Sequence, residues 1–219
     1  MIGRGRRFAD RRAAGCVLAD ALGRELADHD QTAGPPLVLA LPRGGVPVAV
    51  PVADRFGVAV SVLVVRKLGA PGQPELAVGA IAALGETVER VINPGWLSAL
   101  GLTEQRLDQI TVRETTVLRD RVATYGSAPP VAGRTVIVVD DGLATGATMQ
   151  AGVAAVRSAG AAYVVAAAPV GAVGACRDLA GTADLVVCPV RPDPFRAVGE
   201  HYDDFGQLSD ADVLTLLGR

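Results

Sequence analysis

The sequence predicts an α/β fold in which a parallel five-stranded sheet is flanked by helices, and three observations support it. First, apolar runs rich in β-branched residues recur, as expected of strands that are buried on both faces; they are residues 37–41, 58–65, 135–139, 163–168 and 185–187. Second, helix-compatible segments lie between several runs, at residues 46–56, 145–158 and 172–179. Third, glycines and prolines mark the joints, so strand, helix and strand alternate in the way that parallel sheets require.

Two stretches do not fit this alternation. Residues 76–91 carry short apolar runs that indicate a β-hairpin, and residues 94–125 form a charged segment with the apolar stripe of a helix. We interpret residues 76–126 as an insertion within a single domain that covers residues 1–219. The tail is predicted to form a small C-terminal hood over residues 189–209 and a last helix over residues 210–217, and residues 8–30 are predicted to form a surface helix.

Composition limits the classes of function. Of the 219 residues, 50% are hydrophobic and only 4% aromatic, which fits one compact core. The 21 basic and 23 acidic residues nearly cancel, so we expect no nucleic-acid or membrane partner. Three cysteines without C-x-x-C spacing indicate neither a disulfide framework nor a metal site. Together with the lack of an apolar stretch of about 20 residues, this leads us to expect a cytoplasmic protein.

The loop after the third apolar run has the composition of a phosphate site. Asp140 and Asp141 end that run, and the chain continues through Gly142, Leu143, Ala144, Thr145, Gly146, Ala147 and Thr148. A helix is predicted to start near Thr145, and unsatisfied N–H groups together with the helix dipole favour an anion at such a start. The glycines permit close approach and the threonine hydroxyls can donate to phosphate oxygens. The two carboxylates can accept hydrogen bonds from ribose hydroxyls.

Other loops explain parts of this pattern. An ordinary strand-to-helix turn, in which Asp141 or Thr145 only caps the helix, would account for either residue alone. A nucleoside triphosphatase loop needs a lysine after its second glycine, and here Ala147 follows Gly146. A phosphatase would need a nucleophilic Asp or Cys, and residues 142–148 contain neither. The whole pattern therefore favours a ribose 5-phosphate site.

Residues 136–148, with the sequence VIVVDDGLATGAT, resemble the signature of type I phosphoribosyltransferases. Most of the chain, including Phe8, Asp10, Arg11 and the segments 67–72 and 202–205, is similar to bacterial stand-alone phosphoribosyltransferase-domain proteins whose acceptor is unassigned. The resemblance implies the type I fold. It also implies that Asp140 and Asp141 hold the ribose hydroxyls of 5-phosphoribosyl-1-pyrophosphate and that residues 144–148 hold its 5-phosphate.

The segment Leu41, Pro42, Arg43, Gly44 and Gly45 resembles the pyrophosphate loop of this family. Arg43 would then face pyrophosphate, and Gly44 would let the backbone turn an amide toward it. The family often has a non-proline cis peptide here, and we place it at the bond between Arg43 and Gly44. A plain turn after a strand is the alternative.

Arg66 and Lys67 are predicted to end the second core strand. Lys67 is the only lysine in the chain, which suggests that a compact ammonium group is needed there. The resemblance implies that both side chains contact pyrophosphate and that the residues after them close as a lid. A solvated surface pair is the alternative.

The resemblance implies a Mg²⁺-dependent transferase that acts on a nucleobase-like acceptor, with Arg43, Lys67, Asp140 and Asp141 as catalytic residues and the chain paired as a homodimer. Enzymes acting on 6-oxopurines place an aspartate where this chain has Ala144, which makes hypoxanthine or guanine a less suitable acceptor. Phe195 and Tyr202 in the hood are the candidate stacking surfaces for the base, with simple packing as the alternative. A non-catalytic sensor of 5-phosphoribosyl-1-pyrophosphate or a nucleotide is the alternative function.

Overall fold

The computed structural model describes residues 7–27, 34–92, 95 and 100–219. His29, read from the sequence as a surface residue, and Trp96, read as an anchor of the insertion, lie outside the described residues. No helix in the described ranges is both long and apolar enough to cross a membrane.

A parallel five-stranded sheet forms the centre of the molecule, as predicted. Its strands are β1 (Leu37–Ala40), β2 (Val60–Val62), β6 (Thr135–Val139), β7 (Tyr163–Ala167) and β8 (Leu185–Val187). They lie in the order β2, β1, β6, β7, β8, and every neighbouring pair is parallel. All five residues of β6 are buried, which is why its sequence is a nearly continuous apolar run.

Helices cover the sheet close to the predicted positions. They are α1 (Arg11–Glu25), α2 (Gly45–Phe56), α3 (Glu104–Tyr125), α4 (Ala147–Ser158), α5 (Val173–Leu179) and α6 (Asp210–Leu216), with a 3₁₀ turn at Val198–His201. Helix α4 begins two residues later than predicted because Gly146 adopts a left-handed backbone conformation, with φ of 71°, immediately before it.

A second, antiparallel sheet replaces the simple hairpin that the sequence predicts. It consists of β3 (Val65–Ala70), β4 (Gln73–Leu84) and β5 (Thr87–Ile92), in that order. The prediction that Arg66 and Lys67 end a core strand is therefore wrong, because β2 ends at Val62 and both residues lie within β3. Leu63 and Val64 connect the two sheets and are buried. The apolar run in the sequence therefore continues from β2 into β3 and does not show where one sheet ends and the other begins.

The β-α-β connections run in opposite directions along the sheet on the two sides of the β1–β6 pair. From β1 it passes through α2 to β2 on one side, and from β6 it passes through α4 to β7 on the other. Ligands of open α/β sheets bind beyond the carboxyl ends of the strands at such a switch point. Ala40 pairs with Val139, and the N–H of Leu41 donates to the carbonyl of Val139 at 2.9 Å. The loops after β1 and β6 therefore start side by side.

Candidate active site

The loop between β6 and α4 presents a row of backbone donors. Among the described residues, the N–H groups of Ala144, Thr145 and Gly146 have no hydrogen-bond acceptor. Those of Thr148 and Met149 lie in the first turn of α4, where a helix supplies no acceptor of its own. A concavity of about 140 Å³ lies at these groups and is lined by Asp140 and residues 142–149. Such an arrangement suits the oxygens of a phosphate group.

The middle of this loop is held by hydrogen bonds to the segment that follows β7. Leu143 is buried, its N–H donates to the carbonyl of Val170 at 2.9 Å, and its own carbonyl accepts from the N–H of Ala172 at 2.8 Å. A Cβ on Gly142 would overlap the side chain of Val198, so the hood rests on the start of the loop. Leu143 therefore anchors the loop, while the residues after it remain open to a ligand.

The two aspartates after β6 are tied to each other and to α1. Asp140 Oδ1 accepts a hydrogen bond from the N–H of Asp141 at 2.9 Å, and Asp141 Oδ2 accepts one from Arg11 Nε at 2.9 Å. Burial, together with the charge of Asp141, raises the pKa of Asp140 from 3.8 to about 8. Burial also raises the pKa of Asp141, and the hydrogen bond from Arg11 opposes that rise. Both carboxylates are thus held in a poorly hydrated site that a hydrogen-bonding ligand would complete.

The loop after β1 meets the aspartates directly. A Cβ on Gly44 would overlap Asp141 Oδ2, and one on Gly45 would lie 2.5 Å from the carbonyl oxygen of Val139. Arg43 is half-buried, with Nη1 3.7 Å from Asp210 Oδ1 at the start of α6. A concavity of about 380 Å³ lies beside these groups, lined by Arg11, Arg43, Gly44, Asp141 and residues 205–208.

A non-proline cis peptide is present in this loop, but it joins Pro42 to Arg43. Its predicted position, between Arg43 and Gly44, is therefore wrong by one residue. The sequence identifies the loop through its glycines, but the glycines do not specify which peptide bond is cis.

The hood uses its aromatic side chains for its own packing. Tyr202 is 1% exposed, its ring lies 5.6 Å from that of Phe8 and 4.9 Å from that of Phe205, and its hydroxyl donates to the carbonyl of Asp141 at 2.6 Å. The prediction that Tyr202 offers a stacking surface to a base is therefore wrong. The half-buried ring of Phe195 stacks on His201 at 5.5 Å, and its contact with a base stays a prediction.

Arg66 and Lys67 lie apart from the two loops. Arg66 donates from Nε and Nη2 to Glu114 Oε2 on α3, at 3.1 and 2.7 Å. Lys67 is exposed and contacts no acidic side chain among the described residues. Both line a separate cavity of about 720 Å³ between α3 and the β3–β4 turn. That cavity shares no described residue with the cavities at Asp140 and Asp141.

Sequence reasoning did not assign a role to Arg11 or Asp210. Arg11 reaches Asp141 across 130 residues of chain, and Asp210 reaches Arg43 from the last helix, where it also accepts a hydrogen bond from the hydroxyl of Tyr125. No local spacing rule connects such distant residues. Only the resemblance had drawn attention to Arg11.

The described residues contain no group of three or more His, Cys, Asp or Glu side chains that could hold a metal ion. The side chains at the site suit a different form of metal binding. The carboxylates of Asp141, in the cavity of Arg43 and Gly44, and of Asp140, in the adjoining concavity, could contact a hydrated cation through water, with phosphate oxygens as its direct ligands.

Residues 17–204 match the protein family described as phosphoribosyl transferase domain. This chain belongs to that family. Two strains of Mycobacterium tuberculosis each have a protein provisionally named a phosphoribosyl transferase that is 42% identical over 216 residues, or 97% of this chain. The chain spans 46% of the length of these relatives.

Solved structures share the fold of this chain. The protein TT1426 of Thermus thermophilus is 42% identical and has a TM-score of 0.83, with 96% of this chain and 97% of that chain covered. The AQ2163 protein of Aquifex aeolicus, at 12% identity, has a TM-score of 0.51 over 86% of this chain and 78% of its own, which reflects the fold alone. The resemblance to type I phosphoribosyltransferases and the predicted fold class are confirmed.

Proposed function

We propose that this chain transfers a 5-phosphoribosyl group from 5-phosphoribosyl-1-pyrophosphate to a nucleobase-like acceptor and releases pyrophosphate. The observation that carries the proposal is the row of N–H groups at residues 144–146 and at Thr148 and Met149, which find no acceptor among the described residues and follow Asp140 and Asp141 in the same loop. This combination offers donors for a phosphate and acceptors for a diol within one loop.

In this proposal each loop holds one part of the donor. Residues 144–148 bind the 5-phosphate, Asp140 and Asp141 accept hydrogen bonds from the ribose hydroxyls, and Pro42, Arg43 and Gly44 bind pyrophosphate. Ribose C1 then lies between the loops that follow β1 and β6. Catalysis rests on positioning the two reactants and on stabilising the charge of the departing pyrophosphate. Arg43 would supply that charge, and to do so its Nη1 would have to leave Asp210 Oδ1, which lies 3.7 Å away.

Mg²⁺ would neutralise part of the pyrophosphate charge when it is bound. Its direct ligands would be mainly donor oxygens and water, with Asp140 and Asp141 as candidate partners through water. Lys67, with the β3–β4 turn as its lid, would approach the pyrophosphate by closure of that turn. Arg66 would have to leave Glu114 Oε2 to contact pyrophosphate.

The acceptor would bind between the hood and the donor. Ala144 supplies no carboxylate to a purine, so we propose an acceptor other than a 6-oxopurine. Phe195 remains the candidate stacking surface, since the ring of Tyr202 is enclosed. We also propose that the chain pairs as a homodimer and that it forms a single domain with the hood and the insertion.

A sensor that binds the same donor without turnover is the second candidate. The separation of Lys67 from the two ligand loops favours it, because the cavity at Lys67 shares no described residue with the cavity at Arg43 and Gly44. Replacing Lys67 by alanine separates the candidates: loss of turnover with retained donor affinity supports the enzyme.

The first experiment is a calorimetric titration with 5-phosphoribosyl-1-pyrophosphate and Mg²⁺, followed by a panel of nucleobases while pyrophosphate release is measured. Donor binding with base-dependent release supports the transferase and identifies its acceptor. Binding without release supports the sensor, and the absence of binding overturns both.

A further inference from the structure

We propose that Arg11 is a positioning residue that orients Asp141 so that the site selects a ribose diol over deoxyribose ligands. Arg11 acts through Asp141 and does not itself touch the sugar. This inference rests on the proposed function, because it concerns the same sugar phosphate.

One oxygen of Asp141 is already occupied. Oδ2 accepts the hydrogen bond from Arg11 Nε at 2.9 Å, and a Cβ on Gly44 would overlap this same oxygen. Oδ1 accepts no hydrogen bond from any residue in the described part of the chain. Arg11 and Gly44 therefore enclose Oδ2 and leave Oδ1 as the acceptor for a ligand.

The two carboxylate oxygens of Asp140 also differ, since one is occupied and the other is free for a ligand. Its Oδ1 accepts from the N–H of Asp141 at 2.9 Å, and its Oδ2 has no donor among the described residues. When both carboxyl groups are ionised, the pair offers two acceptor oxygens, one on each residue. A vicinal diol supplies two donors, whereas a deoxyribose supplies one and leaves an enclosed acceptor unpaired. Sites built to pair with a hydroxyl reject analogues that lack it for this reason.

Arg11 is itself held rigidly. Its side chain is only 12% exposed, Nη1 donates to the carbonyl of Gly206 at 2.9 Å, and the guanidinium lies 3.9 Å from the ring centroid of Phe205. A planar guanidinium can serve the carbonyl and the carboxylate together, which a single ammonium group cannot do in the same geometry. The side chain therefore fixes the orientation of Asp141 as well as balancing its charge.

The test compares four ligands by titration calorimetry: ribose 5-phosphate, 2-deoxyribose 5-phosphate, 3-deoxyribose 5-phosphate and inorganic phosphate. The proteins are the unmodified chain, Arg11→Met, Arg11→Lys and, as a matched control, Arg12→Met, which changes the exposed neighbouring arginine. Thermal unfolding of each variant verifies that it is folded.

The unmodified chain and Arg12→Met should bind ribose 5-phosphate roughly ten- to a hundredfold more tightly than at least one deoxy analogue, the range expected for a hydrogen bond to a charged group. Arg11→Met should reduce this ratio to about threefold or less while its affinity for inorganic phosphate stays unchanged. Arg11→Lys keeps the positive charge but loses the planar guanidinium that donates to two acceptors, so it should give an intermediate ratio.

An unchanged ratio in Arg11→Met, or in a folded Arg11→Lys where the methionine variant does not fold, would overturn the inference. Equal loss of affinity for phosphate and for all three sugar phosphates would also overturn it, because Arg11 would then only maintain the structure. If the unmodified chain bound neither phosphate nor ribose 5-phosphate, the proposed function would fail, and that result is distinct from an unchanged ratio.

Discussion

Gly44 and Asp141 lie on different loops, yet there is no room for a methyl group between them. A Cβ on Gly44 would overlap Asp141 Oδ2, although the backbone of Gly44, with φ of −60° and ψ of −34°, is open to any residue. Glycine is therefore required here by contact between the loops and not by backbone conformation. The loop of Arg43 and the loop of the aspartates form one surface because of this contact.

The first prediction is that Gly44→Ala disrupts donor binding. The new methyl group must displace the carboxylate or the loop, so we expect affinity for 5-phosphoribosyl-1-pyrophosphate to fall by about tenfold or more, as when a charged hydrogen bond is lost. Gly174→Ala on α5 is the control, because a Cβ there meets nothing within 4 Å. Calorimetry on both variants measures the effect, and equal affinities would contradict the prediction.

The second prediction concerns the threonine hydroxyls of the phosphate loop. We expect Thr148→Val to weaken binding of inorganic phosphate about tenfold, since one donor to a charged group is lost at nearly constant volume. Thr116→Val is the control, because Thr116 lies on the exposed face of α3 and its hydroxyl donates to the carbonyl of Val112. Titration with phosphate measures the change, and a matching loss in both variants would count against a phosphate site.

The third prediction is a dependence of stability on pH. The pKa of Asp140 is raised to about 8 by burial and by the charge of Asp141, while an unfolded aspartate has a pKa near 3.9. The native state therefore binds more protons than the unfolded state between pH 4 and 8, and the free energy of unfolding should fall as the pH rises through this window.

Urea unfolding of the ligand-free protein at several pH values measures this dependence. Asp140→Asn keeps an oxygen that can accept the N–H of Asp141 but cannot ionise. We expect the variant to gain stability relative to the unmodified chain as the pH rises from 4 to 8. Parallel curves for the two proteins would show that Asp140 does not cause the dependence.

The fourth prediction separates a structural from a ligand-binding role for Arg66. Glu114 is 7% exposed and accepts two hydrogen bonds from Arg66, so Glu114→Gln should lower the free energy of unfolding by about 1–3 kcal/mol. Glu104→Gln on the same helix, whose side chain is 66% exposed, should cost less than about 1 kcal/mol. Denaturant unfolding measures both.

Arg66→Met completes the comparison. We expect it to lose stability as Glu114→Gln does, with donor affinity nearly unchanged. A large loss of donor affinity without a loss of stability would instead support the contact with pyrophosphate that the resemblance implies.

The sequence predicted the parallel sheet well because burial on both faces imposes continuous apolar runs, such as residues 135–139, on its strands. It also located the loop between β6 and α4 with its row of backbone donors, because local residue types provide the glycines, threonines and aspartates of that loop. The same reasoning wrongly predicts β2 and β3 as one continuous strand, because Leu63 and Val64 stay buried where the chain passes from one sheet to the other. Apolar content does not report which sheet a residue belongs to.

The parts of the site that sequence reasoning missed depend on contacts between distant segments. Arg11 and Asp141 are 130 residues apart, and only the folded chain brings them together. An aromatic side chain in a polar tail suggests a ligand surface, which is why the sequence predicts that Tyr202 stacks on a base. The structure shows instead that Phe8, from the other end of the chain, covers its ring.

The hood is joined to the beginning of the described chain by backbone hydrogen bonds. The N–H of Phe8 donates to the carbonyl of His201, and the N–H of Asp203 donates to the carbonyl of Phe8, both at 2.8 Å. Lifting the hood would break these bonds and expose the ring of Tyr202, so we expect it to stay in place while ligands enter and leave. A ligand of the loops after β1 and β6 would then enter and leave past a hood that does not move.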